Sequence, residues 1–228
     1  MLISGLQKLT LLDYPGKLAA TVFFSGCNFR CPFCHNASLV VNPGVGEITE
    51  EELFSFLDSR RGRLEAVCIS GGEPTLRREL PSLIGTIKDM GFLVKLDTNG
   101  YRPDVLSSLV SDGLIDYVAM DIKNSKEGYS KTVDIPDFDI TPVCESVELL
   151  LSDKVDYEFR TTVVKELHTA QDMVSIGRWI SGAKNYFLQS FRDSEDIIGS
   201  GFSPYADWEM ATFLSSILPY VPNAQIRG

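Results

Sequence analysis

The chain is short of the features that mark several functional classes. It has two histidines and five cysteines in 228 residues, and 21 Lys plus Arg against 31 Asp plus Glu. The net charge of −10 argues against a nucleic-acid-binding surface, which needs clustered positive charge to meet phosphates. No apolar run approaches the ~20 residues that a membrane-spanning helix requires. The opening residues, Met-Leu-Ile-Ser-Gly, lack the basic segment and apolar stretch of a secretion signal. An odd cysteine count without such a signal argues against a disulfide scaffold and for a reducing compartment. The expectation is a cytoplasmic protein with neither membrane nor nucleic acid as a partner. Repeats, low-complexity segments and linkers are also lacking, so one domain is expected over residues 1–228, its core at about 16–200.

What is present is an alternation. Runs rich in Val, Ile, Leu and Phe occur at 19–25, 65–70, 92–97, 116–121, 156–164 and 184–191. They show little polar alternation and read as strands covered on both faces. Helical stretches lie near 49–61, 75–91, 103–112, 139–152, 169–181 and 205–218. Thr49 with Glu52 matches a capping box, and Pro103 suits a first helical turn, where its missing N–H costs nothing. Six strand–helix units in series predict an α/β fold with parallel strands and right-handed crossovers. An open doubly wound sheet and a full or partial barrel both satisfy this pattern. Either places a ligand site at the C-terminal ends of the strands.

The unusual residues fall at those ends. Three of the five cysteines share one loop after the first strand, Cys27-Asn-Phe-Arg-Cys31-Pro-Phe-Cys34, with C-x3-C-x2-C spacing. Thiolates gathered this tightly hold soft metal, and a local triplet is a common grip for an iron–sulfur cluster. A four-iron cubane held by three thiolates keeps one iron open for chemistry. Structural zinc wants four closed ligands, and no second Cys or His pair follows; His35 adjoins Cys34, and adjacent residues seldom both reach one metal. Cys68 and Cys144 stand alone and read as small buried hydrophobes.

Gly71-Gly72-Glu73-Pro74 follows the second strand, either as a tight turn or as backbone open to a polar ligand, with Glu73 as an anchor for a cationic amine. Asp97-Thr-Asn-Gly100 ends the third strand and has turn composition. Asp121 and Lys123 alternate at the end of the fourth, so both point to one side, as an ion pair or as contacts to a ligand. Arg160 and Gln189 lie towards the ends of the fifth and sixth. Phe33 precedes the third cysteine and reads as packing or as a flat ring over an adenine. His168 reads as a surface or turn residue.

The cysteine triplet with an aromatic before its last member, followed by Gly-Gly-Glu-Pro after the second strand, resembles the radical S-adenosylmethionine superfamily. Within it, Asp13-Tyr-Pro-Gly16, the run Gly26–Asn36, Asp97-Thr-Asn-Gly100 and Met120-Asp-Ile-Lys123 resemble glycyl-radical-enzyme activases, and most of all those of anaerobic ribonucleoside-triphosphate reductase. The likeness spans about Gly5 to Gln189. It implies a partial (β/α)6 barrel, a [4Fe-4S] cluster on Cys27, Cys31 and Cys34, and S-adenosyl-L-methionine on the open iron. It further implies Phe33 at the adenine, Gly71, Gly72 and Glu73 at the methionyl amine, and Asp121 and Lys123 near the ribose and carboxylate. Asp97, Arg160 and Gln189 complete the cofactor-binding set. Pyruvate formate-lyase activases typically have Gly where this chain has Tyr14, which favours the reductase branch. No eight-iron insert interrupts residues 40–49.

The implied partners are a glycyl radical enzyme, the large subunit of anaerobic ribonucleotide reductase, and an electron donor such as flavodoxin or ferredoxin. The implied reaction takes a hydrogen atom from a backbone glycine of the partner, so no Ser/His/Asp or Cys/His set is needed. Three alternatives stand beside it: activation of another glycyl radical enzyme such as pyruvate formate-lyase, a small-molecule reaction like that of 7-carboxy-7-deazaguanine synthase, and a non-enzymatic iron–sulfur electron carrier.

Overall fold

The structure is a computed structural model that describes residues 2–41, 48–194 and 196–227. Most of the stretch 40–49, where no insert was expected, lies outside the described residues. In chain order the elements are β1 (Leu2–Ile3), β2 (Gly5–Thr10), β3 (Ala19–Phe24), α1 (Ala37–Val41), β4 (Ile48–Thr49), α2 (Glu50–Asp58) and β5 (Ala66–Gly71). A 3-10 turn at Pro74–Leu76 precedes α3 (Leu80–Asp89), β6 (Leu93–Thr98), α4 (Pro103–Ser111), β7 (Tyr117–Asp121), α5 (Tyr129–Val133) and α6 (Thr141–Leu151). The chain continues through β8 (Asp156–Val163), α7 (Ala170–Trp179), β9 (Tyr186–Ser190), α8 (Asp207–Ile217) and β10 (Ala224–Arg227).

One eight-stranded sheet runs in the order β10-β9-β8-β7-β6-β5-β3-β2. Every neighbouring pair from β3 to β10 is parallel, and β2 alone runs antiparallel, against β3. The two edge strands do not pair with each other, so the α/β sheet is a partial barrel, as expected. All six anticipated strands and the helices between them are present. The sequence pattern missed β1, β2, β4, β10, α1 and α5, which are short or carry mixed polarity. The capping box forms as expected, with Thr49 N–H on Glu52 Oε2 at 2.8 Å and Glu52 N–H on Thr49 Oγ1 at 3.2 Å. No helix among the described residues is long and apolar enough to cross a membrane.

The two faces of the sheet differ more than the sequence reading allowed. Val22, Phe24, Val67, Ile69, Val94, Leu96, Val118, Met120, Phe159 and Leu188 alternate along their strands and are fully buried in the main core. They share that core with helix positions such as Leu80, Leu83, Ile84 and Ile87, spaced i, i+3, i+4, i+7 so that one face of α3 packs inwards. The intervening residues form the other face and are small or charged: Thr21, Cys68, Ser70, Lys95, Asp97, Asp121, Arg160, Thr162 and Gln189. The strands therefore do alternate. The alternation is diluted in sequence because Ala19, Ala66, Cys68 and Ala119 share the polar face, much of which is buried, Lys95 and Thr21 each to 2% exposure.

Tyr14 closes the lower end of this polar face. It packs with Ala19, Ala66 and Cys68 in a small separate cluster, flanked by Leu93 and Tyr117. Thr21 donates to Asp13 Oδ2, which pins the Asp13-Tyr-Pro-Gly16 segment beneath the strands. Tyr14 thus fills the barrel floor, at the opposite end from the cysteine loop.

Candidate active site

A cavity of about 250 Å³ opens at the C-terminal ends of the parallel strands. Its walls carry Cys27, Cys31, Cys34, Phe33, Gly71, Gly72, Asp97, Asp121, Lys123, Arg160 and Gln189. Of the sequence-derived site residues, only Glu73 is missing from its lining.

The cysteine loop is held by its own backbone and by neighbours. Cys34 N–H donates to Cys31 O at 3.1 Å and Gly199 N–H to Pro32 O at 2.7 Å. The Arg30 guanidinium caps Cys27 O at 2.6 Å and Phe29 O at 2.8 Å, and Arg77 donates to Ser25 O. All five cysteines are free thiols. Burial pushes the Cys27 thiol up to about 11 and the Cys31 thiol to about 12, while the Lys123 charge pulls both down. Both cysteines thus carry a proton that any soft metal must displace. Cys68 is buried on the lower polar face and Cys144 is half-buried on α6; neither lines the cavity.

The glycine pair has a mechanical cause. Gly71 has φ +116°, and a Cβ there would lie 3.0 Å from the Phe24 carbonyl carbon with nearer atoms beside it. A Cβ on Gly72 would lie 2.7 Å from the Gly26 carbonyl carbon, its oxygen nearer still. Gly72 N–H donates to Phe24 O and Glu73 N–H to Gly26 O, both at 2.8 Å. The glycines let the end of β5 lie directly against the start of the cysteine loop. Of the two sequence readings, the tight packing of the turn is seen here, and both glycines also line the cavity.

Glu73 is likewise a structural acceptor. It is 1% exposed, and its Oε1 accepts from Thr75 N–H at 3.1 Å, Thr75 Oγ1 at 2.6 Å and Thr98 Oγ1 at 2.8 Å. Its Oε2 accepts from Asn99 N–H at 2.7 Å. Burial raises its carboxyl, and these donors work against that rise. Glu73 does not line the cavity, and it ties Gly71–Pro74 to the Asp97–Gly100 loop.

The charged residues of the wall form one chain. Lys95 pairs with Asp97, Asp97 with Arg160 at 3.5 Å, Arg160 with Asp121 at 2.9 Å and Asp121 with Lys123 at 2.8 Å. Burial alone would raise the Asp97 and Asp121 carboxyls, but Arg160, with Lys95 and Lys123, outweighs it and holds both below the ordinary range. Burial would lower Lys123, and Asp121 reverses that. Two cations, Lys123 and Arg160, and two carboxylates, Asp97 and Asp121, line the cavity, with Lys95 buried behind Asp97. Asp121 and Lys123 form the expected ion pair, and both line the cavity.

His168 is buried, contrary to expectation. Its Nδ1 accepts from Val164 N–H at 3.0 Å and its Nε2 donates to Lys123 O at 2.8 Å. The ring also meets Phe33 edge-on, with centroids 6.5 Å apart. Burial lowers its pKa, so it is a neutral brace behind Lys123 and Phe33. His35 is tied by Nε2 to Arg192 O at 2.6 Å and stacks on Phe191. Cavity residues that sequence reasoning missed include Ser70, Asn99 and Thr162. Thr162 lies two residues beyond Arg160 on β8, a position that strand periodicity points to.

The donor set suits a cluster better than a single ion. Among the described residues no three Cys, His, Asp or Glu side chains are grouped as ligands of one metal ion. A closed zinc site wants a fourth ligand, and the cavity lining offers three cysteines, the soft donors that an iron–sulfur cluster takes. Three soft donors on one wall, beside a row of paired charges, fit a cluster with a polar, zwitterionic ligand next to it.

Comparison with known proteins agrees with this geometry. Residues 21–174 match the family model of the Radical SAM superfamily. A Methanocaldococcus jannaschii protein, inferred to be a glycyl-radical enzyme activating enzyme, is 34% identical over 85% of this chain and 81% of its own. The pyruvate formate-lyase-activating enzyme of Clostridium pasteurianum is 32% identical over 56% of this chain and 55% of its own. A 7-carboxy-7-deazaguanine synthase of Koribacter versatilis is 28% identical over 72% of this chain and 69% of its own. Among solved structures, a domain of pyruvate-formate lyase-activating enzyme from Bacteroides vulgatus superposes with a TM-score of 0.59 at 14% identity, covering 72% of this chain and 99% of that one. The chain belongs to the radical SAM superfamily, enzymes that use a [4Fe-4S] cluster and S-adenosyl-L-methionine.

Proposed function

We propose that this protein is a glycyl-radical-enzyme activase. The observation that carries the reading is one open cavity in which three free thiols face a wall whose charged groups are all paired with one another. Such a wall is suited to orienting a charged cofactor. The likeness to an inferred activase over most of both chains supports the same reading. Cys27, Cys31 and Cys34 hold the cluster. Asp97, Asp121, Lys123 and Arg160 receive the polar end of S-adenosyl-L-methionine, with Phe33 and Gln189 on the flanking walls. Gly71 and Gly72 contribute backbone, and Glu73 braces the loop behind them.

When bound and reduced by a donor such as flavodoxin or ferredoxin, this pair of cofactors supplies a radical able to take a hydrogen atom from a glycine Cα. The protein's part is to hold the cofactor and leave the rim open to a peptide loop. The partner we favour is the large subunit of anaerobic ribonucleotide reductase, on the motifs Asp97–Gly100 and Met120–Lys123. Tyr14 supports that choice through the resemblance alone, since it packs at the far end of the strands from the cavity. Pyruvate formate-lyase, named in one relative, is the competing partner. The test is paramagnetic resonance on reduced protein, S-adenosylmethionine and each candidate partner, with Cys34→Ala as control. Radical on the reductase supports the full reading, and radical on the lyase keeps the activase and replaces the partner. Product formed only with a purine-like small molecule favours the deazaguanine alternative.

A further inference from the structure

The loop Asp97–Gly100 reaches the cysteine triplet through Asn99. This side chain is 5% exposed, and its Nδ2 lies 2.9 Å from Asn28 Oδ1 and 3.8 Å from Cys27 Sγ. Its orientation is fixed from both sides. Oδ1 accepts from Tyr101 N–H at 3.0 Å, which turns the amino end towards the sulfur. The backbone N–H of Asn99 is held by Glu73 at 2.7 Å. A second donor, Phe29 N–H, approaches the same sulfur at 3.4 Å. Among the described residues the Cys31 and Cys34 sulfurs have no such donor. One of three cluster thiols is thus singled out.

Reduction adds negative charge to a cluster and its thiolates, and N–H donors to sulfur stabilise that charge, raising the reduction potential. We propose that Asn99 is a positioning residue that tunes the cluster: its carboxamide donates to the Cys27 thiolate, aimed there by Glu73 and Tyr101, and makes the one-electron reduction easier. The inference rests on the reading of Cys27 as a cluster ligand. Iron content tests that reading, and the potential tests this one.

The experiment is a redox titration of the reconstituted cluster, followed by paramagnetic resonance, with dithionite as reductant. Asn99→Ala should keep its iron and shift the reduction equilibrium about tenfold towards the oxidised form, ~59 mV for one electron. Asn99→Asp keeps the acceptor for Tyr101 while removing the donor and adding charge, so it should shift further in the same direction. Asn28→Ala removes the competing acceptor and leaves the donor, so the potential should stay or rise. Unchanged potentials in both Asn99 variants at full iron content would overturn the proposal. So would an equal downward shift in Asn28→Ala, which would mean that loop integrity sets the potential. Loss of iron from Asn99→Asp would assign Asn99 to holding the loop and equally overturn the tuning role.

Discussion

Gly72→Ala separates the mechanical account of the glycine turn from a ligand-access account. The new Cβ would meet the Gly26 carbonyl carbon at 2.7 Å, where carbon atoms normally rest at about 3.5 Å. The obstacle is backbone, so β5 and the cysteine loop must part by about 1 Å. Two buried contacts span that seam, Gly72 N–H to Phe24 O and Glu73 N–H to Gly26 O. Overpacking of this kind costs about 1–3 kcal/mol, and weakening the two bonds adds roughly 1 kcal/mol more. A total of about 2–4 kcal/mol in a chain of this size lowers Tm by roughly 4–16 °C. Gly72→Ala should therefore lose stability and iron uptake together, measured by thermal unfolding and iron analysis after reconstitution. A variant with wild-type Tm and full iron, but weakened S-adenosylmethionine binding, would refute the reasoning and return the space to the ligand.

Three further outcomes follow from the site. Cys68→Ala and Cys144→Ala should retain full iron while Cys31→Ala loses it; iron loss from either of the first two without unfolding would contradict the assignment. Asp121→Asn leaves Lys123 and Arg160 without their shared carboxylate. Breaking a buried pair costs about 3–5 kcal/mol, and partial exposure places this one at the lower end; denaturant unfolding should show the loss and calorimetry a weaker S-adenosylmethionine complex. His168 is buried neutral with a lowered pKa, so the unfolded chain binds its proton first. Its contribution is intact above the unfolded value of ~6.5 and is lost as pH falls below it. The pH dependence of unfolding should flatten there in His168→Asn, and an identical profile would remove His168 from the account.

Much of the site was legible because its chemistry is local. Three thiols in eight residues and a Gly-Gly turn after a strand announce themselves, and strand–helix alternation places them on one rim. What the sequence hid depends on contacts between distant segments. Nothing near Glu73 in the sequence shows that its carboxylate is buried and accepts from Thr98 and Asn99 as well as from Thr75. His168 follows a strand, where a surface turn is the ordinary case, yet it folds back under Lys123. Tyr14 lies 13 residues before the first cysteine, and only the antiparallel β2 shows that its segment runs beneath the barrel. Asn99 is one polar residue in a turn-like tetrapeptide, and nothing in its neighbours reveals that Cys27 lies against it.

The central claim is that this cavity delivers a radical to a protein backbone. The most direct measurement is the paramagnetic resonance spectrum of the reduced, iron-loaded protein mixed anaerobically with S-adenosylmethionine and the large subunit of anaerobic ribonucleotide reductase. The account predicts a glycyl radical signal that depends on S-adenosylmethionine and disappears with Cys34→Ala. Failure to cleave S-adenosylmethionine under strong reductant, with the cluster intact, would contradict it and leave an electron carrier.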